Sequence, residues 1–306
     1  MKSFLKVSIC VLLLIPAAFP LFSQDVEYPL IQSMCYFPYS DNSLLYQGEY
    51  TVGLELRYSN VYMFNHYRTI INDFEMFSNT ISFRYGLANF ATAEVHWRWY
   101  SLFGGFLDSF VESFHKLFHL PHNARGEFPR NSVHYRHYDN FYYEDNHTAS
   151  SPLVLAFLNN VYTAEYYSFK TRFSLGIPLS NTPGFGSSRP FLSAGLLFQY
   201  KKKGFSIDIS NYIAWMKKPD WLADEPMRKQ VFYSLLEFHL HRFIGGFIFR
   251  SSPFMEDDVA HPAYQFYIGY QITPHLDILL LEDLGPFDTS PDLSFGLRMQ
   301  IYKKRQ

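Results

Sequence analysis

The polar side chains of one short stretch, residues 104–120, have the types and spacing of groups that bind metal ions or transfer protons. If this stretch is a helix at 100° per residue, four of them fall on one side. These four are Asp108, Glu112, His115 and His119. Glu112 and His115 have the Glu-x-x-His spacing found in one half of a carboxylate-bridged metal site. A complete site needs a facing partner motif, so we predict a solvated or lumen-lying helix face and no metal.

The opposite side of the same helix is rich in phenylalanine. Within an arc of about 140° it carries Phe106, Phe110, Phe114 and Phe118, together with Leu107, Val111 and Leu117. Such a face either packs on a membrane surface or closes a pocket for an apolar ligand. The four polar residues and the four phenylalanines are therefore our candidates for ligand contact or gating.

A second set of polar residues lies at alternating positions of strand-like segments. Alternation places them on one face of each strand, which would be the interior of a closed barrel. Salt-bridged networks filling a narrow lumen are one interpretation, and the lining of a polar channel is the other. The set comprises Glu55, Arg57, Arg84, Glu94, His96, Arg98, Lys170, Arg172, Asp208, Glu237, His239, His241, Arg250 and Arg298.

Neither a metal centre nor a hydrolase site follows from these residues. His239-x-His241 places two imidazoles on one strand face, a common metal-binding geometry, but a third ligand is not identifiable. Ser113 and His115 are neighbours, but helix residues two apart point in different directions. The sequence lacks a Gly-x-Ser-x-Gly elbow. We predict no catalytic residue and no cofactor, and the chain is more consistent with a non-enzyme.

The elements that would position all of these side chains are alternating strands. In residues 90–100, the apolar side chains of Val95, Trp97 and their odd-numbered neighbours oppose those of Glu94 and His96. Most of the 13 or so strand candidates have the 9 to 11 residues that a tilted transmembrane strand needs. Because bacterial barrels have an even strand number, we predict about 12 strands. The predicted fold is all-β, a transmembrane antiparallel barrel with one amphipathic helix inserted after the third strand.

The start of the chain has the pattern of a secretory signal peptide. Lys2 and Lys6 precede an apolar run interrupted by Pro16 and Pro20. We expect residues 1–24 to be a cleaved signal and residues 25–306 to be one barrel domain, with the helix insertion at 104–120. The irregular residues 25–47 cross the periplasm or enter the barrel. This predicts export to the bacterial outer membrane.

Composition agrees with a membrane barrel. Aromatic residues make up 20% of the chain, a content typical of barrels with aromatic girdles. Without the signal, 24 basic residues face 28 acidic ones, so nucleic acid is not an expected partner. Beyond the apolar run, Cys35 is the one remaining cysteine, which excludes an intrachain disulfide in the mature chain.

The last strand-like segment, residues 293–302, has a polar residue, a glycine and two spaced apolar residues: Ser294, Gly296, Met299 and Ile301. This pattern is typical of the terminal strand read by the barrel-insertion machinery. The expected partners are therefore that machinery, outer-membrane lipids and a small-molecule ligand.

Residues 73–137 resemble a known family. The matching motifs are Asp73-Phe74-Glu75, Arg84-Tyr85-Gly86-Leu87, the run from Gly104 to Glu112 with Phe114-His115, Leu120-Pro121, Glu127-Phe128-Pro129-Arg130 and Tyr135-Arg136. They are similar to those of the uncharacterised bacterial outer-membrane proteins grouped as domain-of-unknown-function family 3187. The similarity fades after residue 137. The resemblance implies an outer-membrane barrel and no established activity.

These patterns leave three functions open. The first is a channel, transporter or binder for a small or amphipathic molecule. The second is a structural or surface-exposed barrel without transport, and the third is a lipid-modifying enzyme. By strand parity, the helix is expected at the extracellular rim or folded over the mouth of the barrel.

Overall fold

Twelve long strands form a closed transmembrane antiparallel barrel in the computed structural model. The structure describes residues 37, 43–64, 70–118, 129–137, 139–222, 229–256, 259–283 and 293–303. The predicted signal peptide lies outside these residues. Within them, no helix is both long enough and apolar enough to cross a bilayer.

The wall strands follow one another around the ring in chain order, and the last strand pairs with the first. They are β1 (Tyr50–Phe64), β2 (Ile70–Ala88), β3 (Ala91–Phe103), β7 (Leu153–Thr163), β8 (Tyr167–Ile177), β9 (Phe191–Lys202), β10 (Phe205–Trp215), β11 (Gln230–Leu240), β12 (Phe243–Glu256), β13 (Val259–Thr273), β14 (Leu276–Asp283) and β15 (Leu293–Lys303). The hydroxyls of Ser59 and Ser294, 2.8 Å apart, form a hydrogen bond across the β1–β15 pair.

The predicted twelve-strand barrel is confirmed, and the extra strand candidate belongs to the connection between β3 and β7. This connection holds helix α1 (Asp108–Phe118), β4 (His134–His137), β5 (Phe141–Tyr143) and β6 (His147–Ser150). The candidate at residues 132–143 is therefore a small hairpin, in which β4 extends the sheet beside β2. The helix is shorter than the predicted 104–120, because residues 104–107 are irregular.

Alternation along each strand separates two surfaces. The outward row on β3 includes Val95 and Trp97, both exposed, whereas Glu94 and His96 between them are buried. Exposed apolar rows of the same kind run along the other wall strands, as hydrocarbon requires. Every backbone group of a closed wall finds a partner on a neighbouring strand, which stabilises the barrel without disulfides.

The two ends of the barrel differ in their connections. At one end the strands are joined by tight turns, at residues 89–90, 164–166, 203–204, 241–242 and 274–275. We call this the short-turn end, and Tyr50 and Lys303 also lie there. The other end, the long-loop end, carries the connections 104–152, 178–190 and 216–229. Helix α1 follows β3 at the long-loop end, as strand parity predicts.

Candidate functional site

One carboxylate in the lumen, that of Glu94 on β3, pairs with guanidinium groups from the two strands β2 and β8. It accepts hydrogen bonds from Arg84 Nε at 2.9 Å and from Arg172, and His96 Nε2 lies 3.3 Å away. All four side chains are buried. Opposite charges at such distances compensate for the loss of hydration, so these residues form one mutually dependent cluster.

A second cluster surrounds Glu237 on β11. Its carboxylate accepts hydrogen bonds from Tyr267 Oη at 2.5 Å and His239 Nε2 at 2.8 Å. Arg298 lies 3.5 Å from the same carboxylate, and its Nη2 is 3.0 Å from Asp277. This cluster joins strands β11, β13, β14 and β15 across the interior.

The structure places the predicted lumen-lining residues on the inward face of the wall, except His241, which lies in the turn between β11 and β12 and so does not share a strand face with His239. In addition to the two clusters, Arg57 pairs with Glu55 at 2.7 Å. Arg98 donates to Ser78 Oγ at 2.6 Å, and Lys170 donates to Gln199 Oε1 at 3.2 Å. The inward strand residues are Glu55, Arg57, Arg84, Glu94, His96, Arg98, Lys170, Arg172, Asp208, Glu237, His239, Arg250 and Arg298. Whether a solute contacts them stays a prediction.

A polar cavity of about 430 Å³ occupies the lumen at the short-turn end. The Glu237 cluster forms its inner part, and Lys201, His241 and His275 line it near the turns. The N-terminal segment enters at this end, where Leu45 N donates to Thr92 Oγ1 at 3.1 Å. Phe37 lies farther inside, towards the long-loop end, and stacks on Tyr233 with a centroid distance of 4.9 Å. Of the two predicted courses for residues 25–47, these described residues follow the one that enters the barrel.

An apolar cluster fills the lumen at the long-loop end. It includes Val61 of β1 and Ala214 of β10, which are diametrically opposite strands in the twelve-strand ring. The cluster therefore crosses the lumen, and we call it the cap. Its members are Val61, Phe74, Met76, Tyr100, Leu102, Val133, Tyr135, Phe141, Val154, Phe185, Phe191, Ala214, Met216, Leu222 and Val231.

The centre of the cap is the loop segment 183–186, whose four successive backbone carbonyls each accept a hydrogen bond from an aromatic side chain. Tyr143 Oη donates to residue 183 at 3.1 Å, and Tyr135 Oη donates to residue 184 at 2.7 Å. Tyr100 Oη donates to residue 185 at 3.4 Å, and Trp221 Nε1 donates to residue 186 at 2.7 Å. These donors come from β5, β4, β3 and the loop after β10, so several elements fix one segment inside the barrel.

Two groups at the edge of the cap have shifted pKa values. The His147 ring stacks on Phe185 with a centroid distance of 4.1 Å, and burial lowers the pKa of His147. Ser188 Oγ and Arg189 Nη2 donate to the Asp220 carboxylate at 2.7 and 2.6 Å, and these bonds lower the pKa of Asp220. Neutral His147 and charged Asp220 are therefore the forms that support the cap near neutral pH.

Helix α1 lies on the outer wall of the barrel. Leu107 and Val111 pack on Leu293 of β15, with Tyr58 and Leu280 beside them, and these three wall residues face outward. The ring of Phe110 lies 6.1 Å from that of Phe295. Phe106 and Phe110 remain exposed on the lipid side of the wall. The phenylalanine face thus follows the membrane-packing alternative of the sequence prediction.

Glu75 docks the helix, and the sequence analysis did not single it out. It lies in the outward row of β2 with Phe77, yet only 2% of it is exposed. Its carboxylate accepts hydrogen bonds from the backbone N of Leu107 and from Tyr58 Oη. A Cβ at Gly105 would collide with the Glu75 carboxylate, so a larger residue at this position would displace that carboxylate. A carboxylate in a lipid-facing row was the signal that could have identified it.

The polar candidates of the helix are not brought together into a site. Asp108 accepts hydrogen bonds from Asn60 Nδ2 at 3.1 Å and Asn131 N at 2.9 Å, and Glu112 pairs with Arg130 at 2.8 Å. The side chains of Phe114, His115 and Phe118, and all of His119, lie outside the described residues.

A second Glu-x-x-His occurs at Glu144 and His147, which the sequence analysis missed. Glu144 is exposed and accepts from Tyr142, whereas His147 stacks in the cap. Among the described side chains, no group of three or more His, Cys, Asp or Glu residues could hold a metal ion.

Sequence comparison identifies the family. The family model described as "Protein of unknown function (DUF3187)" matches residues 18–205, more than half of the chain. The chain belongs to this family. The DUF3187 match confirms the resemblance noted above and extends beyond residue 137 through β9, covering most of the cap residues. No curated protein matches the sequence.

One solved structure shares the barrel architecture of this DUF3187 member. The COG4313 outer membrane channel from Pseudomonas putida F1 is similar with a TM-score of 0.56 at 12% identity, covering 88% of this chain and 100% of that one. A KdgM porin gives a TM-score of 0.43 at 9% identity, covering 81% and 98%. Outer membrane phospholipase A from Escherichia coli gives 0.41 at 11% identity, covering 83% and 92%. At 12% identity, the likeness to the Pseudomonas putida channel concerns the fold alone.

Proposed function

We propose that this protein is a channel of the bacterial outer membrane that conducts a small polar or amphipathic molecule and is closed by the cap in the described state. In this proposal the short-turn end faces the periplasm and the long-loop end faces outward, because outer-membrane barrels carry their longer loops outside. The observation that carries it is the polar cavity at the short-turn end, whose inner part is formed by the charged Glu237 cluster.

The chemistry of the interior suits gating by movement of residues 183–186. This segment is not part of the wall, so it can leave the lumen while the strand pairing is retained. Its hydrogen bonds to aromatic side chains can be exchanged for bonds to water when the loop moves outward. Hydrophobic constrictions of this kind close pores by excluding water.

The test is conductance of the purified protein in planar bilayers and solute-dependent swelling of liposomes. Phe185→Ala removes a fully buried ring from the centre of the cap and should raise the mean conductance several-fold. Phe173→Ala removes a ring from the outer wall, where 56% of the side chain is exposed, and should leave conductance unchanged. Absence of current and swelling for both the wild type and Phe185→Ala would refute the channel.

The packed cap is also the observation that favours the second candidate, a barrel without transport. Absence of conductance and of liposome swelling in the same measurements would support it. A lipid-modifying enzyme has less support, since Ser113 Oγ donates to the backbone carbonyl of Ser109 at 2.7 Å. Loss of phospholipid or glycolipid turnover in His115→Ala would be needed to support that activity.

A further inference from the structure

A groove of about 930 Å³ crosses the outer wall of the barrel between two rows of outward-facing apolar residues. Strand register pairs the members of each row across neighbouring strands, from β11 or β12 to β1. The first row comprises Phe238, Gly245, Ile268, Leu280, Phe295 and Tyr58. The second row, one step nearer the short-turn end, comprises Phe243, Tyr270, Ile278, Leu297 and Leu56. The groove therefore runs across the strands rather than along one of them.

The groove descends obliquely along the wall. At one end, Phe238 lies close to Leu240, where β11 reaches the short-turn end. At the other end, Tyr58 lies in the middle of β1, well away from Tyr50 at the short-turn end. Because barrel strands tilt in the membrane, a row that crosses them is inclined to the membrane plane. The groove thus leads from one membrane surface towards the centre of the bilayer.

Gly245 keeps the first row low where it crosses β12. A Cβ at this position would collide with the ring of Phe238, so the ring lies against the bare backbone of β12. Glycine inside a strand is typical of sites that a ligand approaches closely. Phe243 and Ile268, the outward residues beside it, are exposed and form the sides of the groove. A chain lying between them contacts protein on more than one side, which strengthens its dispersion contacts.

Helix α1 closes the end of the groove at β15 and β1. Tyr58 and Leu280 of the first row pack beside the helix. The ring of Phe295, between them in the row, lies 6.1 Å from that of Phe110. The helix therefore limits how far a bound chain can extend along the wall.

Positive charge marks the other end of the groove. Arg242 is exposed and lies in the turn between β11 and β12, directly before the second row begins. Its backbone carbonyl accepts a hydrogen bond from Gln271 N at 2.8 Å, which joins the turn to β13. The adjacent turn carries the exposed Lys203, and Gly204 O in that turn accepts from His241 N at 2.8 Å. A lipid headgroup at this end would meet cations, and guanidinium groups bind phosphate through two parallel hydrogen bonds.

We infer that the groove binds one phospholipid, with an acyl chain between the two rows and the phosphate group at Arg242. The occupant has to be apolar along most of its length, because this wall faces hydrocarbon. An anionic headgroup complements the cations where the groove reaches the membrane surface. The inference goes beyond the proposed function and does not depend on conduction, so its failure would leave the channel proposal untouched.

The test is native mass spectrometry of the full chain in detergent, titrated with palmitoyl-oleoyl phosphatidylglycerol. The wild type should retain one lipid per barrel before a second one binds. Ile268→Trp places a larger ring in the groove and should weaken retention of that lipid several-fold. Ile278→Trp blocks the groove from the second row and is an independent variant. Leu196→Trp, at an exposed outward position on β9, should leave retention unchanged.

Arg242→Gln tests the headgroup contact. It keeps the apolar rows intact and should weaken retention of phosphatidylglycerol several-fold. Lys217→Gln removes an exposed cation at the long-loop end and is the matched control. Unchanged retention in Arg242→Gln would overturn the assignment of the phosphate to this turn.

Three results would overturn the lipid site. The first is equal retention in the wild type and in both isoleucine variants, with circular dichroism showing the strand content of the folded barrel. The second is an equal loss in Ile268→Trp and Leu196→Trp, since a general effect of tryptophan on the wall would then explain it. The third is a mass of two chains that Ile268→Trp converts to one, which would assign the groove to a second copy of this chain.

Discussion

Tyr135 Oη donates a 2.7 Å hydrogen bond to the backbone carbonyl of Gly184, and both residues are buried in the cap. Gly184 adopts a left-handed conformation, with φ at 75°, against the ring of Phe141. Because few residues other than glycine adopt this conformation without strain, the segment is held in one shape by its sequence and in one place by Tyr135.

Tyr135→Phe removes this hydrogen bond while keeping the ring. It should destabilise the closed loop by about 1 kcal/mol, the usual net value of one such bond. Single-channel recordings should show about a five-fold increase in the open-to-closed ratio. Tyr142→Phe is the matched control, because Tyr142 is exposed and bonds to Glu144 outside the cap. An unchanged open-to-closed ratio in Tyr135→Phe would contradict the assignment of residues 183–186 as the gate.

Acidification should loosen the cap through His147. Burial lowers the pKa of His147 in the closed state, whereas a released His147 recovers its ordinary value of about 6.5. Below about pH 6.5 the released state binds the proton more readily, so closed-state stability falls as the pH falls. The Asp220 carboxylate stays charged in this window because its pKa is lowered by Ser188 and Arg189.

Hydrogen exchange of the backbone amides in residues 184–187 measures this effect. Exchange corrected for its intrinsic pH dependence should increase between neutral pH and about pH 5. His147→Gln should abolish the pH dependence. A dependence of equal size in His147→Gln would assign the effect to another group.

Glu75→Gln should release helix α1 from the outer wall. The variant weakens the bonds to Leu107 N and Tyr58 Oη at a buried position, which costs about 1–3 kcal/mol. Trypsin should then cleave at Lys116 several-fold faster in the folded barrel. Glu112→Gln is the control, since its pair with the exposed Arg130 contributes little. Equal protection of Lys116 in the wild type and Glu75→Gln would show that apolar packing alone holds the helix.

Glu94→Gln should be among the most destabilising changes in the lumen. It leaves Arg84 and Arg172 buried without their shared carboxylate, and breaking a buried pair in this way costs about 3–5 kcal/mol. Urea unfolding in detergent micelles provides the measurement. Glu165→Gln, in an exposed turn, should change the free energy of unfolding by less than about 0.5 kcal/mol. Similar losses in the two variants would contradict a structural role for the Glu94 cluster.

The barrel and the direction of its side chains could be predicted from the sequence because the strand period is two and one face meets hydrocarbon. Strand β3 illustrates this: the even-numbered Glu94 and His96 face the lumen, whereas the odd-numbered Val95 and Trp97 face the lipid. Strand ends were less predictable, because β12 and β13 continue through residues 251–256 and 259–262, where the sequence contains two prolines and does not alternate.

The cap could not be predicted, because loops have no period. Residues 183–186 read as a Gly/Ser/Pro connection, and their partners Tyr100, Tyr135 and Tyr143 read as ordinary strand residues. The position of helix α1 was undetermined for a related reason. An amphipathic pattern shows that one face of the helix is covered, but it does not identify the surface that covers it. Here that surface is the outer wall of the barrel, where Glu75 binds the start of the helix.

The hydrogen bond between Ser59 and Ser294 joins residues 235 positions apart, and it marks the seam where the first strand meets the last. The ring cannot shut until the final strand is available, so seam closure has a high contact order and is expected to be slow. Phe37, which precedes the first strand in the chain, contacts Tyr212 and Tyr233 on the opposite side of the ring from β1. Residues before the seam therefore help to fill the interior, and the first and last strands close the wall around them.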